Sequence, residues 1–233
     1  MNIKIGKVYL RLFIGPGIPE LPFYTEYKYS SPAFNNANPG INIRIKSEKI
    51  KPENRNHENY DRVHEIFFRE NFKTGRFSSI KETHYSPEDI LMVQNWIRYI
   101  GIYYNAKLFK LFPLHSAMLE INRKNVILSG SVYSGKTTNS FKALLNNFKV
   151  FTDEDNLLDF TGPVLKTIPI PRLLQIDRNL VSGNTGKKYK NMFLYPEKMK
   201  IFNRELFFLP LPCILPKDLN LKKVHLLFFL NYR

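Results

Sequence analysis

Residues 126–146 read VILSGSVYSGKTTNSFKALLN and contain the pattern G-x-x-x-x-G-K-[ST], without a mismatch, from residue 130 to residue 137. The aliphatic run Val126, Ile127 and Leu128 before the pattern predicts a buried strand, and residues 137–146 after it predict a helix. A glycine-rich loop between a strand and a helix is the setting in which this pattern binds phosphate. We therefore expect an anion-binding loop; the simpler alternative is a glycine turn before a helix, with a solvated lysine.

Each residue type of this loop suits phosphate binding. Gly130 and Gly135 allow the backbone to curl, so that successive N–H groups and the helix N-terminus point at phosphate oxygens. Lys136 would neutralise the β- and γ-phosphates, and the Thr137 hydroxyl would bind Mg²⁺. The residues expected to contact the nucleotide are Gly130, Ser131, Val132, Tyr133, Ser134, Gly135, Lys136, Thr137 and Thr138.

An acidic cluster follows the next predicted strand. Residues 148–152 (FKVFT) read as a buried strand that ends in Asp153, Glu154 and Asp155. If this strand runs parallel to residues 126–129, its carboxyl end opens on the same crevice as the glycine-rich loop. Asp153 or Glu154 would then reach the Mg²⁺ ion, although an acidic cap on the following turn is the simpler alternative.

His115 is a further candidate, because of a predicted hairpin. Residues 115–121 and 126–130 are expected to pair about a tight turn within residues 122–125. Centring the turn on Arg123 and Lys124 pairs His115 with Val132, inside the glycine-rich loop. A lone histidine beside an apolar strand is more often structural, but this placement makes a histidine that faces phosphate an equal alternative.

A long helix is predicted from Ser86 to about Phe109. Ser86 is a suitable N-cap and is followed by a proline at the first helical position. Apolar side chains recur at helical spacing and predict a buried stripe, against which Trp96 and Tyr103 are expected to pack. The stripe is formed by Ile90, Val93, Ile97, Tyr104 and Leu108.

The block from residue 114 to residue 158 resembles the HPr kinase/phosphorylase family and its HPr-kinase-like relatives. The resemblance rests on Leu114-His115, the two predicted hairpin strands, the glycine-rich loop and the acid pair Asp153-Glu154. The segment IGPGIPELPF near the N-terminus also resembles a proline-rich stretch of the kinase-like relatives. Val132 and Tyr133 depart from the family's glycine-containing loop, and Glu154 replaces a second aspartate. The C-terminal signature of the bifunctional kinase/phosphorylases is not found.

The resemblance implies an α/β fold of the HPr kinase/PEP carboxykinase-like type. Residues 86–233 would form the P-loop nucleotide-binding kinase core, and residues 1–85 a β-rich N-terminal lobe. It also implies use of ATP and Mg²⁺ to phosphorylate a serine hydroxyl of a protein or peptide. The implied catalytic residues are Asp153, Glu154, His115 and Lys136, with Thr137 and the acid pair as metal ligands; one acid would be the base and the other would hold metal.

A cation for the developing charge in such a reaction has four candidates. Arg172 ends the run Ile168-Pro169-Ile170-Pro171-Arg172 and Arg178 follows it, while Lys187 and Lys188 lie in the segment SGNTGKKYK. The simpler interpretation of each is a solvated surface charge.

The net charge of +15 favours anionic partners and leaves two alternatives to a serine kinase. One is a nucleic-acid-directed kinase, which is not favoured because no aromatic and basic RNA-binding motif is found. The other is a nucleotide-binding module without transfer activity. The single cysteine, Cys213, and the lack of a predicted membrane span are typical of a cytoplasmic protein. Homo-oligomerisation is left open.

Overall fold

The computed structural model of the protein describes residues 2–14, 41–49, 62–70, 73–81, 87–170, 172–181, 199–201, 204–209 and 221–231. Four features of the sequence interpretation lie outside these residues. They are the N-cap at Ser86, the basic pair Lys187 and Lys188, Cys213, and residues 15–23 of the proline-rich segment.

The N-terminal part of the chain forms a five-stranded sheet whose strands are neighbours in sequence order. Its pairs are antiparallel except for the second and third strands, which run parallel. The strands are β1 (Asn2–Ile5), β2 (Val8–Ile14), β3 (Ile41–Lys49), β4 (Arg62–Glu70) and β5 (Lys73–Lys81). A sheet in this part of the chain agrees with the β-rich segment expected there.

Helix α1 (Pro87–Phe109) has the predicted bounds. Ile97 and Tyr104 of the predicted stripe are buried, and Trp96 packs against the same core. The side chains of Ile90 and Val93 lie outside the described set. The predictions for Leu108 and Tyr103 are wrong, since these side chains are 51% and 58% exposed. Leu108 lies in the last turn of the helix, beyond the part of α1 that packs on the first core cluster.

Asn105 on α1 fixes the turn between β1 and β2. Its side-chain amide donates hydrogen bonds to the carbonyl oxygens of Ile5 and Gly101, both at 2.7 Å, and its Oδ1 accepts one from the Lys7 N–H at 2.8 Å. Gly6 in this turn has φ of 60°, and a Cβ there would lie 2.6 Å from Asn105 Oδ1. The turn therefore needs a glycine both for its backbone conformation and for the approach of the amide.

Strands β6 (Phe112–Ile121) and β7 (Lys124–Gly130) form the predicted hairpin, but in a different register. Ile121 pairs with Lys124, so paired residue numbers sum to 245, and the predicted sum of 247 is wrong. The two turn residues are Asn122 and Arg123, with φ of 49° and 63°. Two consecutive positive φ values are typical of a two-residue type I′ turn, in which asparagine is favoured at the first position.

The rest of the chain adds a seven-stranded sheet around this hairpin and a separate three-stranded sheet with the order β11-β13-β12. Strand β6 is at the centre of the larger sheet: it pairs with β7 along one edge, and with β8 and β9 along the other. The remaining elements are α2 (Lys136–Leu145), β8 (Lys149–Thr152), β9 (Asp155–Asp159), β10 (Lys166–Ile170), β11 (Leu174–Asp177), α3 (Arg178–Val181), β12 (Met199–Ile201), β13 (Arg204–Leu209), β14 (Lys222–Lys223) and β15 (Leu226–Leu230).

The molecule is therefore a mixed α/β protein with more strands than helices among the described residues. The finer assignment to a P-loop kinase core of the HPr kinase type stays a prediction, as does the division at residue 86. None of the helices in the described part of the chain combines the length and the apolar character needed to cross a membrane.

Two core clusters support the site described below. The first is built from β1, β2, α1, β9 and β10, so it joins residues on both sides of the predicted boundary. The second packs α2 against β6, β7 and β8 on one side and against β11 and β13 on the other. The glycine-rich loop between β7 and α2 is therefore fixed at both ends by buried elements.

We expect Asn105→Ala to lower the free energy of unfolding by about 2–4 kcal/mol, because it leaves a buried N–H and buried carbonyls without their partner. Urea denaturation followed by circular dichroism measures this. Asn146→Ala is the matched control: it removes an exposed amide that donates to the Lys142 carbonyl, and should cost less than about 1 kcal/mol. Equal losses for the two variants would contradict the role given to Asn105.

Candidate active site

The glycine-rich loop joins β7 to α2, and its two glycines have different functions. A Cβ on Gly130 would lie 2.6 Å from the Leu230 carbonyl oxygen and 2.6 Å from Ser134 Oγ, so only glycine fits between β15 and the loop. Gly135 has φ of 90°, a conformation that other residues rarely adopt. Tyr133 also has a positive φ, of 65°. The loop thus curls tightly before the helix begins.

Lys136 is folded over the loop. Its ammonium group donates hydrogen bonds to the carbonyl oxygens of Gly130 and Ser131, both at 2.8 Å. Burial lowers the pKa of this lysine, while the nearby charge of Asp153 raises it. Helix α2 begins with Gly135 as N-cap and has neither a side-chain cap nor an acid in its first turn. Backbone N–H groups and a lysine ammonium therefore meet at one point, which suits an anion.

The acid pair lies beside this loop because of the strand directions. Both β7 and β8 are antiparallel to β6, so they are parallel to each other, which is the condition under which the sequence puts the acids beside the loop. Asp153 and Glu154 form the bend between β8 and β9, just after the shift in the β6–β8 register between Met118 and Leu119. The Ser116 N–H donates to the Glu154 carbonyl oxygen at 2.8 Å and fixes this bend.

A hydrogen bond connects the loop to the acids. The Thr137 hydroxyl donates to Asp153 Oδ2 at 3.1 Å. Asp153 is buried, and burial raises the pKa of its carboxyl, although the charges of Arg172 and Arg98 and the Thr137 hydroxyl oppose this effect. The other oxygen, Oδ1, is buried and has no hydrogen-bond partner in the part of the chain that is described. A buried carboxylate oxygen without a partner, next to a threonine hydroxyl, fits a Mg²⁺ ligand set.

Glu154 is held by two arginines. It forms ion pairs with Arg172 and with Nη2 of Arg98, the latter at 3.9 Å. Arg98 also places its Nε 3.0 Å from Asp155 Oδ2. Both arginines are buried, so the interpretation of Arg172 as a solvated surface charge is wrong: the carboxylate of Glu154 offsets the cost of burying it. Burial likewise raises the pKa of Asp155, and Arg98 lowers it.

The sequence interpretation missed Arg98, although the sequence contains a signal for it. Gln94, Arg98, Gly101 and Asn105 recur at four-, three- and four-residue intervals, which puts them on one face of α1. All four are buried. This spacing is the only signal for Arg98 in the sequence, and a polar stripe next to an apolar stripe is equally typical of a solvated face.

His115 does not pair with Val132 as predicted, since its backbone partner is Asp155 on β9. Asp155 lies along the other edge of β6; on the β7 edge, the turn at residues 122 and 123 would put Gly130 rather than Val132 opposite His115, and the pairing ends at Ser116 and Ser129. The side chain nevertheless lines the same cavity as the loop. Burial and the charge of Lys136 lower the pKa of His115, while Asp155 raises it. The ring is therefore largely neutral near neutral pH.

These groups surround one cavity of about 450 Å³, a size typical of small-molecule sites. The cavity is not lined by three of the predicted nucleotide contacts, Gly130, Ser131 and Ser134. Nor is it lined by the arginines Arg98, Arg172 and Arg178. The lining residues of the loop, the acids and the facing wall are His115, Val132, Tyr133, Gly135, Lys136, Thr137, Thr138, Asp153, Glu154, Gln175, Asp177, Asn179, Leu180 and Leu206.

We expect Gly130→Ala to lower the free energy of unfolding by about 1–3 kcal/mol, because its methyl group would overlap the Leu230 carbonyl and Ser134. Gly162→Ala is the control, since a Cβ at Gly162 meets nothing within 4 Å; its effect should stay within about 0.5 kcal/mol. Thermal and urea unfolding measure both changes. A neutral Gly130→Ala would show that β15 does not approach the loop this closely.

Asp153→Asn should stabilise the ligand-free protein near neutral pH. The folded-state pKa of Asp153 lies above its ordinary value of 3.8, so the ionised carboxylate disfavours folding, and stability falls as pH rises from 3.8 through the folded-state pKa. Asparagine does not ionise, so the variant does not lose stability over this pH range. Urea denaturation between about pH 4 and pH 8 measures the difference.

Asp159→Asn is the control of opposite sign. The Thr161 hydroxyl and N–H donate to Asp159 Oδ1 at 2.6 and 3.0 Å and lower the pKa of that carboxyl. Its ionised form therefore stabilises the fold, and this contribution is lost as pH falls through the lowered pKa. Replacement should destabilise the protein near neutral pH. A loss of stability in both variants would contradict the assignment for Asp153.

No protein-family model matches the sequence, and no curated protein matches it either. Among solved structures, the chain is similar to the Hpr(Ser) kinase/phosphatase from Coxiella burnetii, with 16% sequence identity and a TM-score of 0.30. The match covers 51% of this chain and 64% of that chain, so it spans less than two thirds of the solved protein. An identity and a TM-score this low assign neither family nor activity.

Proposed function

We propose that the protein is an ATP-dependent kinase that transfers the γ-phosphoryl group to a serine hydroxyl of a protein or peptide. The observation that carries this proposal is the 3.1 Å hydrogen bond from the Thr137 hydroxyl to Asp153, which unites the glycine-rich loop and the acids in one cavity. The serine acceptor follows from the resemblance of residues 114–158 to HPr kinases.

The loop and helix α2 would bind the phosphates. The backbone N–H groups at the start of α2 have no side-chain cap, and the ammonium of Lys136 lies among loop carbonyls. When phosphate oxygens enter, the ammonium exchanges neutral carbonyl oxygens for charged ones, which form stronger hydrogen bonds. Lys136 and the helix N-terminus thus neutralise charge where it increases during transfer.

Thr137 and Asp153 would hold Mg²⁺. Their oxygens already lie at hydrogen-bond distance, and Asp153 has a buried oxygen without a partner among the described residues. Bound Mg²⁺ supplies further neutralisation of phosphate charge. It would also offset the cost of burying the Asp153 carboxylate.

Glu154 would accept the proton of the serine hydroxyl. Both acids line the cavity, but the Glu154 side chain is 26% exposed and Asp153 is only 5% exposed, so an acceptor reaches Glu154 more readily. As the serine oxygen forms its bond to the γ-phosphorus, its proton passes to Glu154, and the bond to the bridging β–γ oxygen breaks to leave ADP. The wall formed by Gln175, Asp177 and Asn179 faces the loop across the cavity and leaves room for the acceptor.

Arg98 and Arg172 would act as positioning residues. They reach Glu154 but do not line the cavity, so they fix the direction of its carboxylate without touching substrate. His115 lines the cavity beside the loop, and its lowered pKa leaves a neutral ring that can donate a hydrogen bond to a phosphate oxygen.

Isothermal titration with ATP and Mg²⁺, together with transfer of labelled phosphate to serine peptides, tests the proposal. Lys136→Ala should weaken ATP binding at least about tenfold, because it removes the phosphate-binding cation. Glu154→Gln should bind ATP normally but transfer phosphate about 10²–10⁴ times more slowly, because the proton acceptor is lost. Lys166→Ala, an exposed lysine on β10 outside the cavity, is the matched control for lost positive charge and should change neither.

Two outcomes would replace the proposal with another function. ATP binding that depends on Lys136, with no transfer to any hydroxyl, would indicate a nucleotide-binding module. Transfer to the end of DNA or RNA, with binding that weakens steeply as salt is added, would indicate a nucleic-acid-directed kinase.

A further inference from the structure

A second cavity, of about 590 Å³, is lined by residues of helix α2 and of strands β6, β7 and β15. We call it the α2–β15 groove. Its floor contains Val126 and Leu128 of β7, one wall is formed by Asn139, Lys142 and Asn146 of α2, and the other by Leu226, Phe228 and Leu230 of β15. The two cavities share none of their lining residues.

The β15 wall exposes large apolar side chains. Leu226 is 44% exposed and Phe228 is 49% exposed, and alternation along the strand points both into the groove. Strand β15 pairs with β7 along one edge and is the last strand on its side of the sheet among the described residues. Contiguous exposed apolar surface of this kind is typical of a site that binds another molecule.

The polar lining of the groove is basic and neutral. Lys124 and Lys142 contribute ammonium groups, while Asn122, Asn139 and Asn146 contribute amides. Among the described residues, no Asp or Glu lines the groove. The whole chain carries a net charge of +15, which adds to the positive potential at this surface. A segment with one apolar side and one acidic side would therefore complement the apolar and basic lining of the groove.

The shape of the groove fits a helix. It follows α2, whose 10 residues extend for about 15 Å. Asn139, Ala143 and Asn146 are spaced by four and three residues, so one face of α2 forms the wall. Ala143, at the middle of this face, is buried in the second core cluster, so the exposed side chains of the wall are Asn139, Lys142 and Asn146. A helix bound along this wall would use the helix-in-groove mode of recognition.

One end of the groove reaches the glycine-rich loop. Leu230 pairs with Gly130, and the Asn139 side chain donates to the Gly135 carbonyl oxygen at 3.0 Å. The other end lies at the hairpin turn, at Asn122 and Lys124. A chain that leaves the groove at the Leu230 end is therefore next to the phosphate loop.

We propose that the α2–β15 groove binds an acidic amphipathic helix of a partner protein. The apolar side of that helix packs on Leu226 and Phe228, and its acidic side faces Lys124 and Lys142. If the proposed kinase function holds, on which this step rests, the partner is the phosphate acceptor. Its serine then lies in the chain beyond the end of the bound helix, next to the loop.

The test uses a fluorescent synthetic peptide of about 14 residues that forms an amphipathic Leu/Glu helix, long enough to match the groove. Fluorescence anisotropy with the full-length protein measures its affinity. Phe228→Asp and Lys142→Glu should each weaken binding at least tenfold. Phe229→Asp is the matched control: Phe229 is 74% exposed but lies on the opposite face of β15, so binding should stay within twofold of the unaltered protein.

Two further peptides test the chemistry. A Leu/Lys helix of the same length should bind at least tenfold more weakly, and so should a scrambled Leu/Glu peptide without an apolar face. Circular dichroism establishes that each protein variant is folded, and Lys142→Glu keeps the test decisive if Phe228→Asp does not fold.

Several results would overturn the proposal. They are no binding of the acidic helix, equal binding of the basic helix, or equal loss in Phe228→Asp and Phe229→Asp. A dimer in sedimentation experiments that Phe228→Asp dissociates would assign the groove to a second copy of the chain. Lys136→Ala should bind the peptide normally, so failure of the groove and failure of the ATP site are seen separately.

Discussion

Strand β6 is the constraint on which the site depends. It pairs with β7 along one edge and with β8 and β9 along the other, so the strand before the glycine-rich loop and the strand before the acids run in the same direction, one strand apart. Their carboxyl ends consequently meet on one side of the sheet. The Thr137–Asp153 hydrogen bond is the local result of this arrangement. Without the antiparallel pairing on both edges of β6, residues 137 and 153 would not be neighbours.

The sequence predicted this arrangement because its signals are local. The loop pattern, the hydrophobic run before it and the acids after residue 152 can each be read within a few residues, and a hairpin plus one further strand determines how they meet. The predicted hairpin register was wrong, for a physical reason. Sums of 245 and 247 differ by two residues, which leaves every side chain on the same face of the sheet, so the hydrophobic pattern cannot separate them. The φ values of Asn122 and Arg123 decide the register instead.

The arginines show what the sequence could not reveal. A single arginine after a strand gives no sign that it will be buried, because burial depends on a carboxylate brought close by the fold. Arg172 acquires that partner in Glu154, and Arg98 acquires Glu154 and Asp155, from a helix more than 50 residues earlier in the chain. Only the polar stripe on α1 hinted at this role. Long-range ion pairs of this kind leave no pattern within one element.

The first core cluster has a consequence for how the molecule can be divided. Ile3, Ile5 and Leu10 of the first two strands share this cluster with Leu157 of β9 and with α1, the helix that carries Arg98. A fragment that began at residue 86 would expose this apolar face to water and remove the support from the back of α1. The arginine that orients Glu154 would then project from an unsupported helix. The candidate site and the N-terminal hairpin therefore depend on the same core for their support.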